Sequence, residues 1–293
     1  MRARNHSSAK GKRFGALAAL FWGLSCQAAE LNHGLWVWHG TTVLAAADGA
    51  VKLRDYCRAR GISEVYVAVS DHGKMVLDRR VVDAIHLLHA SDIRIEALLS
   101  SESADEAGRH RDKLIAQVQT VVAFNRQHPG TRFDGVHLDL EPQQRPENKG
   151  PGNLVFLTGL VQAYRAARAA ADGLSVDADI QTKLLKGSSA QRRELFQSLP
   201  RLTLMLYELD TADAHRDNAA KARQVKNASQ KFMVMAFADL PDAGMAQLSV
   251  ALRTPDYGAE LPAMLTALDE ANKSSAHYGG WAQHAYNDLL PAP

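Results

Sequence analysis

The chain has little cysteine: two residues in 293, Cys26 and Cys57. No disulfide framework can hold a fold of this length, so a hydrophobic core must, and a chain of this size can build one. Charge is nearly balanced, with Lys+Arg 34 against Asp+Glu 32. A nucleic-acid binder needs a basic surface, which such a balance does not supply. No apolar run reaches the ~20 residues that span a bilayer as a helix. A glycine-rich phosphate loop, a Gly-x-Ser-x-Gly elbow, a Cys/His zinc knuckle and a His-Glu-x-x-His helix are all missing. What remains for chemistry is carboxylates, histidines and a few aromatics.

The first 28 residues read as a signal peptide. Arg2, Arg4, Lys10, Lys12 and Arg13 form a positive start with no acidic residue. An apolar stretch follows at 14–24 (FGALAALFWGL), then small residues with Cys26-Gln27-Ala28 as the exit. Basic start, short apolar core and small exit are the secretory pattern. Two alternatives stay open: an uncleaved N-terminal anchor, and lipidation at Cys26, where Leu24-Ser25-Cys26 is faintly lipobox-like but Gly23 replaces a branched apolar residue. Cleavage after Ala28 removes five basic residues and leaves 265 residues with a formal net charge of −3. The expected location is periplasmic or secreted, with no stable membrane span after cleavage. Cys57 then stands alone, in a helical pattern, as a buried small hydrophobe.

Residues 29–293 read as one domain. Short apolar runs alternate with longer helical patterns. The runs are 35–39, 64–70, 94–100, 135–141, 174–180, 202–209, 232–238 and 279–286, eight in all. Helical periodicity follows at 51–60, 79–89, 105–127, 154–171 and 261–273. Such alternation implies βαβ units and a parallel sheet, and eight units imply an α/β (β/α)8 barrel, typically ~250 residues. The stretches 181–200 and 210–231 are irregular, and 287–293 is too short for a full closing helix.

One run stands out: Asp134-Gly135-Val136-His137-Leu138-Asp139-Leu140-Glu141. Side chains alternate along a strand, so His137, Asp139 and Glu141 share the face toward the barrel axis. Active sites of these barrels sit at the carboxyl ends of the strands. Glycosidic cleavage needs an acid for the leaving oxygen and a second group at the oxocarbenium-like centre. Glu141, the longest and nearest the strand end, is the expected acid. Asp139 lies about 6.5–7 Å back along the strand, and its charge is expected to keep Glu141 protonated.

Asp134-Gly-x-His137-x-Asp139-x-Glu141 resembles the Asp-Gly-x-Asp-x-Asp-x-Glu motif of glycoside hydrolase family 18, the chitinase-like barrels, with His137 in place of an acid. Met205-Leu206-Tyr207-Glu208 is similar to that family's Met-x-Tyr-Asp strand, and Gly280-Trp281 resembles its sugar-pocket tryptophan. The resemblance implies substrate-assisted cleavage at N-acetylhexosamine. Glu141 is then the acid and later the base, and Asp139 orients the acetamido group. Tyr207 hydrogen-bonds that group, Trp281 lies under the sugar ring, and Asp134 and Gly135 are structural. His137 replaces a carboxylate that shares a proton with Asp139, and opens the way to non-acetylated amino sugars, where Asp139 acts directly.

Other residues carry open alternatives. Trp36 and Trp38 share a face and are sugar platforms or barrel core; Tyr66 lines the pocket or packs. Asp177 and Asp179 bind substrate hydroxyls, help tune Asp139, or form an internal salt bridge with His137 or Lys183. Glu208 and Asp210 are substrate contacts near the end of the sixth run. His39, His137 and His284, with Asp139 or Glu141, could converge as metal ligands. A metal-dependent deacetylase or phosphodiesterase is therefore the alternative, with a non-catalytic glycan-binding protein as a third. No cofactor is implied; the expected partner is a polysaccharide or oligosaccharide.

Overall fold

A computed structural model describes residues 31–71, 73–150, 154–206, 226–227, 229–230, 247–253, 261–275 and 277–286. Residues 1–28, and with them the reading of a signal peptide, lie outside the described residues.

Eight parallel strands close into a barrel. In chain order they are β1 (Asn32–Val37), β2 (Glu64–Ala68), β3 (Arg94–Ser101), β4 (Gly135–Leu140), β5 (Ser175–Gln181), β6 (Arg201–Met205), β7 (Gln247–Arg253) and β8 (Tyr278–His284). Each pairs with the next, and β8 returns to β1 with Gly280 opposite Asn32. This is the (β/α)8 architecture expected from the alternation of runs.

The period-2 pattern explains how the strands form two cores. Leu35, Val37, Val65, Val67, Ile95, Val136, Leu138, Leu140, Val176 and Ile180 join the outer core beneath the helices. Trp36, Tyr66, Leu98, Ala251, Ala282 and Ala285 form a second cluster inside the barrel. The seventh strand departs from expectation. The run 232–238 lies outside the described residues, and the barrel's seventh place is taken by Gln247–Arg253. Ser249 and Ala251 are small and buried, while Val250 and Leu252 are apolar and buried. That polar-ended, small-residue alternation lacks the aromatic and β-branched density that marked the other runs.

The helices are α1 (Gly40–Ala45), α2 (Gly49–Arg60), α3 (Arg79–His89), α4 (Arg109–Gln127), α5 (Leu157–Ala170), α6 (Ser189–Phe196) and α7 (Leu261–Asn272). Helix α3 shows why they form. Asp78 caps it by accepting from the Arg80 amide at 3.0 Å, and Val81, Ala84, Ile85 and Leu88 recur on its buried face, the amphipathic spacing. Helix α6 arises inside the irregular 181–200 stretch through a Ser188/Gln191 capping box. Cys57 is buried in α2, as expected. No helix among the described residues is long and apolar enough to cross a membrane.

Candidate active site

Beside its aromatic and small-residue cluster, the barrel interior holds charge arranged in layers. At the amino ends of the strands, Arg201 reaches across from β6. Its guanidinium meets Glu64 at 2.7 Å, Glu96 at 3.2 Å and Asp177. Arg94 adds contacts to Glu64 at 3.1 Å and Glu96 at 3.4 Å. Burial acts to raise Glu64, but Arg201 and Arg94 override it and hold the carboxyl at about 2. Glu96 goes the other way: burial, with the charges of Asp177 and Glu64, pushes it up to about 8. Gly135 makes room for this layer, since a Cβ there would stand 2.7 Å from Glu96 Oε1.

The next layer belongs to His137. It is fully buried, and its Nε2 lies 2.9 Å from Asp179 Oδ1. The other oxygen of Asp179 accepts from Trp36 Nε1 at 3.0 Å. The imidazole stacks on Tyr66, centroids 3.8 Å apart and planes 16° from parallel. Burial opposes charge on His137, but Asp179 and Glu96 carry it up to about 10. His137 is paired with Asp179, not with Asp139 as the motif alone suggested.

Asp139 and Glu141 stand above, toward the carboxyl end of β4. Asp139 is 6% exposed, and its Oδ1 has no hydrogen-bond partner among the described residues. Burial, then the charges of Asp179 and Glu141, push its carboxyl well above the usual range; His137 pulls it down. Burial and Asp179 thus drive Asp139 toward protonation.

Glu141 is half-buried, at the turn out of β4. Gln181 at the end of β5 donates to its Oε1 at 2.8 Å, and Gln143 and Gln144 donate to the same oxygen at 3.3 Å each. The loop that follows is tied down: Asn148 donates to the Pro142 carbonyl and Lys183 to the Asn148 carbonyl, both at 2.8 Å. Arg145 meets Asp105 at 2.8 Å. One oxygen of Glu141 is anchored, so its carboxyl has a defined direction at the mouth.

The remaining candidates divide. Asp134 secures the start of β4: its Oδ2 accepts from the Ile95 amide at 2.8 Å and pairs with His89 at 2.9 Å. Trp38 is half-buried past the end of β1 and donates to His284 Nε2 at 2.7 Å. Trp36 and Tyr66 are buried inside the barrel. Asp177 pairs with Arg201 rather than Lys183. Asp179 is 2% exposed with both oxygens occupied by His137 and Trp36 inside the barrel. Tyr207, Glu208 and Asp210 lie outside the described residues.

Trp281 is corrected by the geometry. It faces the helices, stacks on His33 at 4.2 Å and donates to Asp269 of α7 at 3.2 Å. Its neighbour Gly280, at φ +110° with Asn32 packed against it, sets the strand phase that turns residue 281 outward. Together with Tyr278, which donates to Asp269 at 2.8 Å, it fastens the β8–β1 seam.

Sequence reading missed Gln181, Arg201, Glu64, Glu96 and Thr203. Gln181 was accessible: it continues the inward period of Asp177 and Asp179. Arg201, likewise, is two positions before Thr203, whose buried hydroxyl oxygen finds no partner among the described residues.

Glu96, His137 and Asp177 each offer an atom within 4.8 Å of the others, a spacing that could suit a cation. The cation already among them is the Arg201 guanidinium, bound to both carboxylates. The set reads as an ion-pair cluster. A separate cavity of about 620 Å³, lined by His89, Arg126, Arg132, Asp134 and Asp172, opens at the other end of β4 from Glu141.

No family model and no curated sequence matches the chain. Solved structures do resemble it. A Streptomyces cattleya GH5_18 enzyme in complex with GlcNAc has a TM-score of 0.64 at 12% identity, covering 90% of this chain and 74% of that one. The spore cortex-lytic enzyme SleL of Bacillus megaterium QM B1551 gives 0.56 at 11%, covering 89% and 72%. The chitinase RmChi1 of Rhizomucor miehei gives 0.52 at 9%, covering 87% and 94%. At these identities the likeness shows the barrel fold.

Proposed function

We propose that the protein is a glycoside hydrolase that cleaves an N-acetylhexosamine-containing or partly deacetylated polysaccharide. The carrying observation is the pair at the end of β4: an orphaned, buried Asp139 carboxyl below a Glu141 carboxyl anchored by one oxygen. Fold analogy alone would not establish this; the resemblance of the 134–141 motif to family 18, and glycosidases among the structural neighbours, are consistent with it.

In this reading Glu141 donates a proton to the glycosidic oxygen as the bond to the anomeric carbon breaks. The substrate's acetamido oxygen takes up the anomeric carbon, with Asp139 hydrogen-bonded to the acetamido group. Water then attacks that carbon, its bond to the acetamido oxygen breaks and restores the acetamido group, and the water proton passes to Glu141, restoring the acid and leaving a free hemiacetal. Trp38, half-buried beyond the end of β1, supplies an aromatic face for a sugar. The basic, apolar and small-residue pattern of 1–28 supports export to the periplasm or medium.

The test is a panel of N-acetylated and deacetylated hexosamine oligomers, with and without chelator. Turnover that survives chelation supports the reading, and preference for acetylated oligomers supports the acetamido step. Turnover abolished by chelator transfers the case to a metal-dependent hydrolase. Sugar binding without turnover of any oligomer transfers it to a glycan-binding protein.

A further inference from the structure

The couple under Asp139 is built with more care than a filler of barrel space requires. Asp179 has both oxygens occupied, by His137 Nε2 at 2.9 Å and Trp36 Nε1 at 3.0 Å. The imidazole is clamped between the Tyr66 ring and the Trp36 edge, with centroids 3.8 and 5.8 Å away. Its second nitrogen faces Glu96 Oε2 at 3.6 Å. Neither that nitrogen nor that oxygen has a hydrogen-bond partner among the described residues, so the ring is held through Nε2 and its two aromatic neighbours. Fixed sites of alternating sign run from the mouth to the base of the barrel: Asp179, His137, Glu96, Arg201.

We propose that His137 and Asp179 form a buried imidazolium–carboxylate couple that is a positioning element for Asp139, immobilising the neighbouring acid so that the Asp139 carboxyl keeps an oxygen unmatched and turned to the substrate. The proposal rests on reading Asp139 and Glu141 as the working pair. Neither His137, at 0% exposed, nor Asp179, at 2%, can touch substrate; both act through Asp139. With one oxygen on His137 and the other on Trp36, Asp179 has none left to match Asp139. The charged and titratable groups around His137 are Glu96 from β3, Asp179 from β5, Tyr66 from β2 and Asp139 on its own strand. The Arg201–Asp177 pair completes the set at the amino ends.

Two measurements on the full chain test the couple. The first needs no substrate. In protein with 15N-labelled histidine and 13C-labelled aspartate carboxyls, the His137 ring should stay doubly protonated from about pH 5 to about pH 9. Asp139 should titrate higher in His137→Asn than in wild type, because a positive charge has gone. A His137 that titrates near the ordinary histidine value, or an Asp139 midpoint unmoved in His137→Asn, overturns the proposal. The second is a cycle of His137→Asn, Asp179→Asn and the double variant, read as kcat against pH, with melting curves as a folding control. The single variants should lower kcat about tenfold with little change in KM, and shift the limb set by Asp139. The double should exceed the product of the singles by about threefold or more. Singles that multiply, with unshifted pH profiles, overturn it. A chain that turns over no glycan but shows the expected titrations refutes the glycosidase reading and not the couple.

Discussion

Replacing Arg201 with Met exposes the cost of the polar base of the barrel. The guanidinium is 8% exposed and serves three carboxylates that are themselves 0–3% exposed. Without it, Glu64, Glu96 and Asp177 share a dry space, and the half-exposed Arg94 is the guanidinium left in contact with the first two. A carboxyl held at about 2 against an ordinary 4.5 corresponds to about 3 kcal/mol of stabilisation. Removing one partner of a buried ion pair costs about 3–5 kcal/mol. The two routes agree, and in a chain of this size the loss lowers Tm by about 10 °C. The pH dependence carries a sign. Glu64 is depressed, so its contribution is complete above about 4.5 and disappears as pH falls toward about 2. The gap between wild type and Arg201→Met should therefore be widest near neutrality and narrow steadily below about pH 4.5. Denaturant unfolding across that range measures it. A loss under about 1 kcal/mol at neutral pH, or an equal loss at every pH, refutes the reasoning.

Three further outcomes follow from the same geometry. Gly135→Ala forces a methyl to 2.7 Å from Glu96 Oε1 and should cost about 1–3 kcal/mol in thermal unfolding; an unchanged melting curve counts against the layered packing. Gln181→Leu removes the 2.8 Å hydrogen bond that aims Glu141, so kcat on an oligomer substrate should fall about 10-fold or more, with KM nearly constant; equal kcat in both proteins contradicts that aim. Trp281→Ala empties a buried site between strand and helix and should lower stability by about 3–5 kcal/mol without raising KM; a raised KM with an unchanged Tm would return Trp281 to the sugar pocket.

Most of the fold was legible because period-2 runs and period-3.6 segments alternate along the chain. Helix α3 was read with its observed bounds, and the count of eight strands held. The seventh strand was misplaced because Ser249 and Ala251, which fill the barrel's interior, give Gln247–Arg253 a weak apolar signature. At the site, the strand pattern placed His137, Asp139 and Glu141 on one face. The inward alternation of Asp177 and Asp179 also offered the salt bridge to His137, which Asp179 makes across 42 residues of sequence. It did not show Arg201, which lies 105 residues from Glu96. Trp281 failed for a local reason: the Gly-Trp pair was matched by residue type, whereas strand phase put Gly280, not Trp281, on the inner face.

The central claim is that Glu141 is the proton donor and acceptor of a glycosidase. Its most direct measurement sets wild type and Glu141→Gln side by side, releasing product from N-acetylated hexosamine oligomers in the presence of chelator. The account predicts turnover by wild type and a fall of about 100-fold or more in the variant, the loss expected when a general acid is removed, with melting curves superimposed. Equal rates in the two proteins would contradict it.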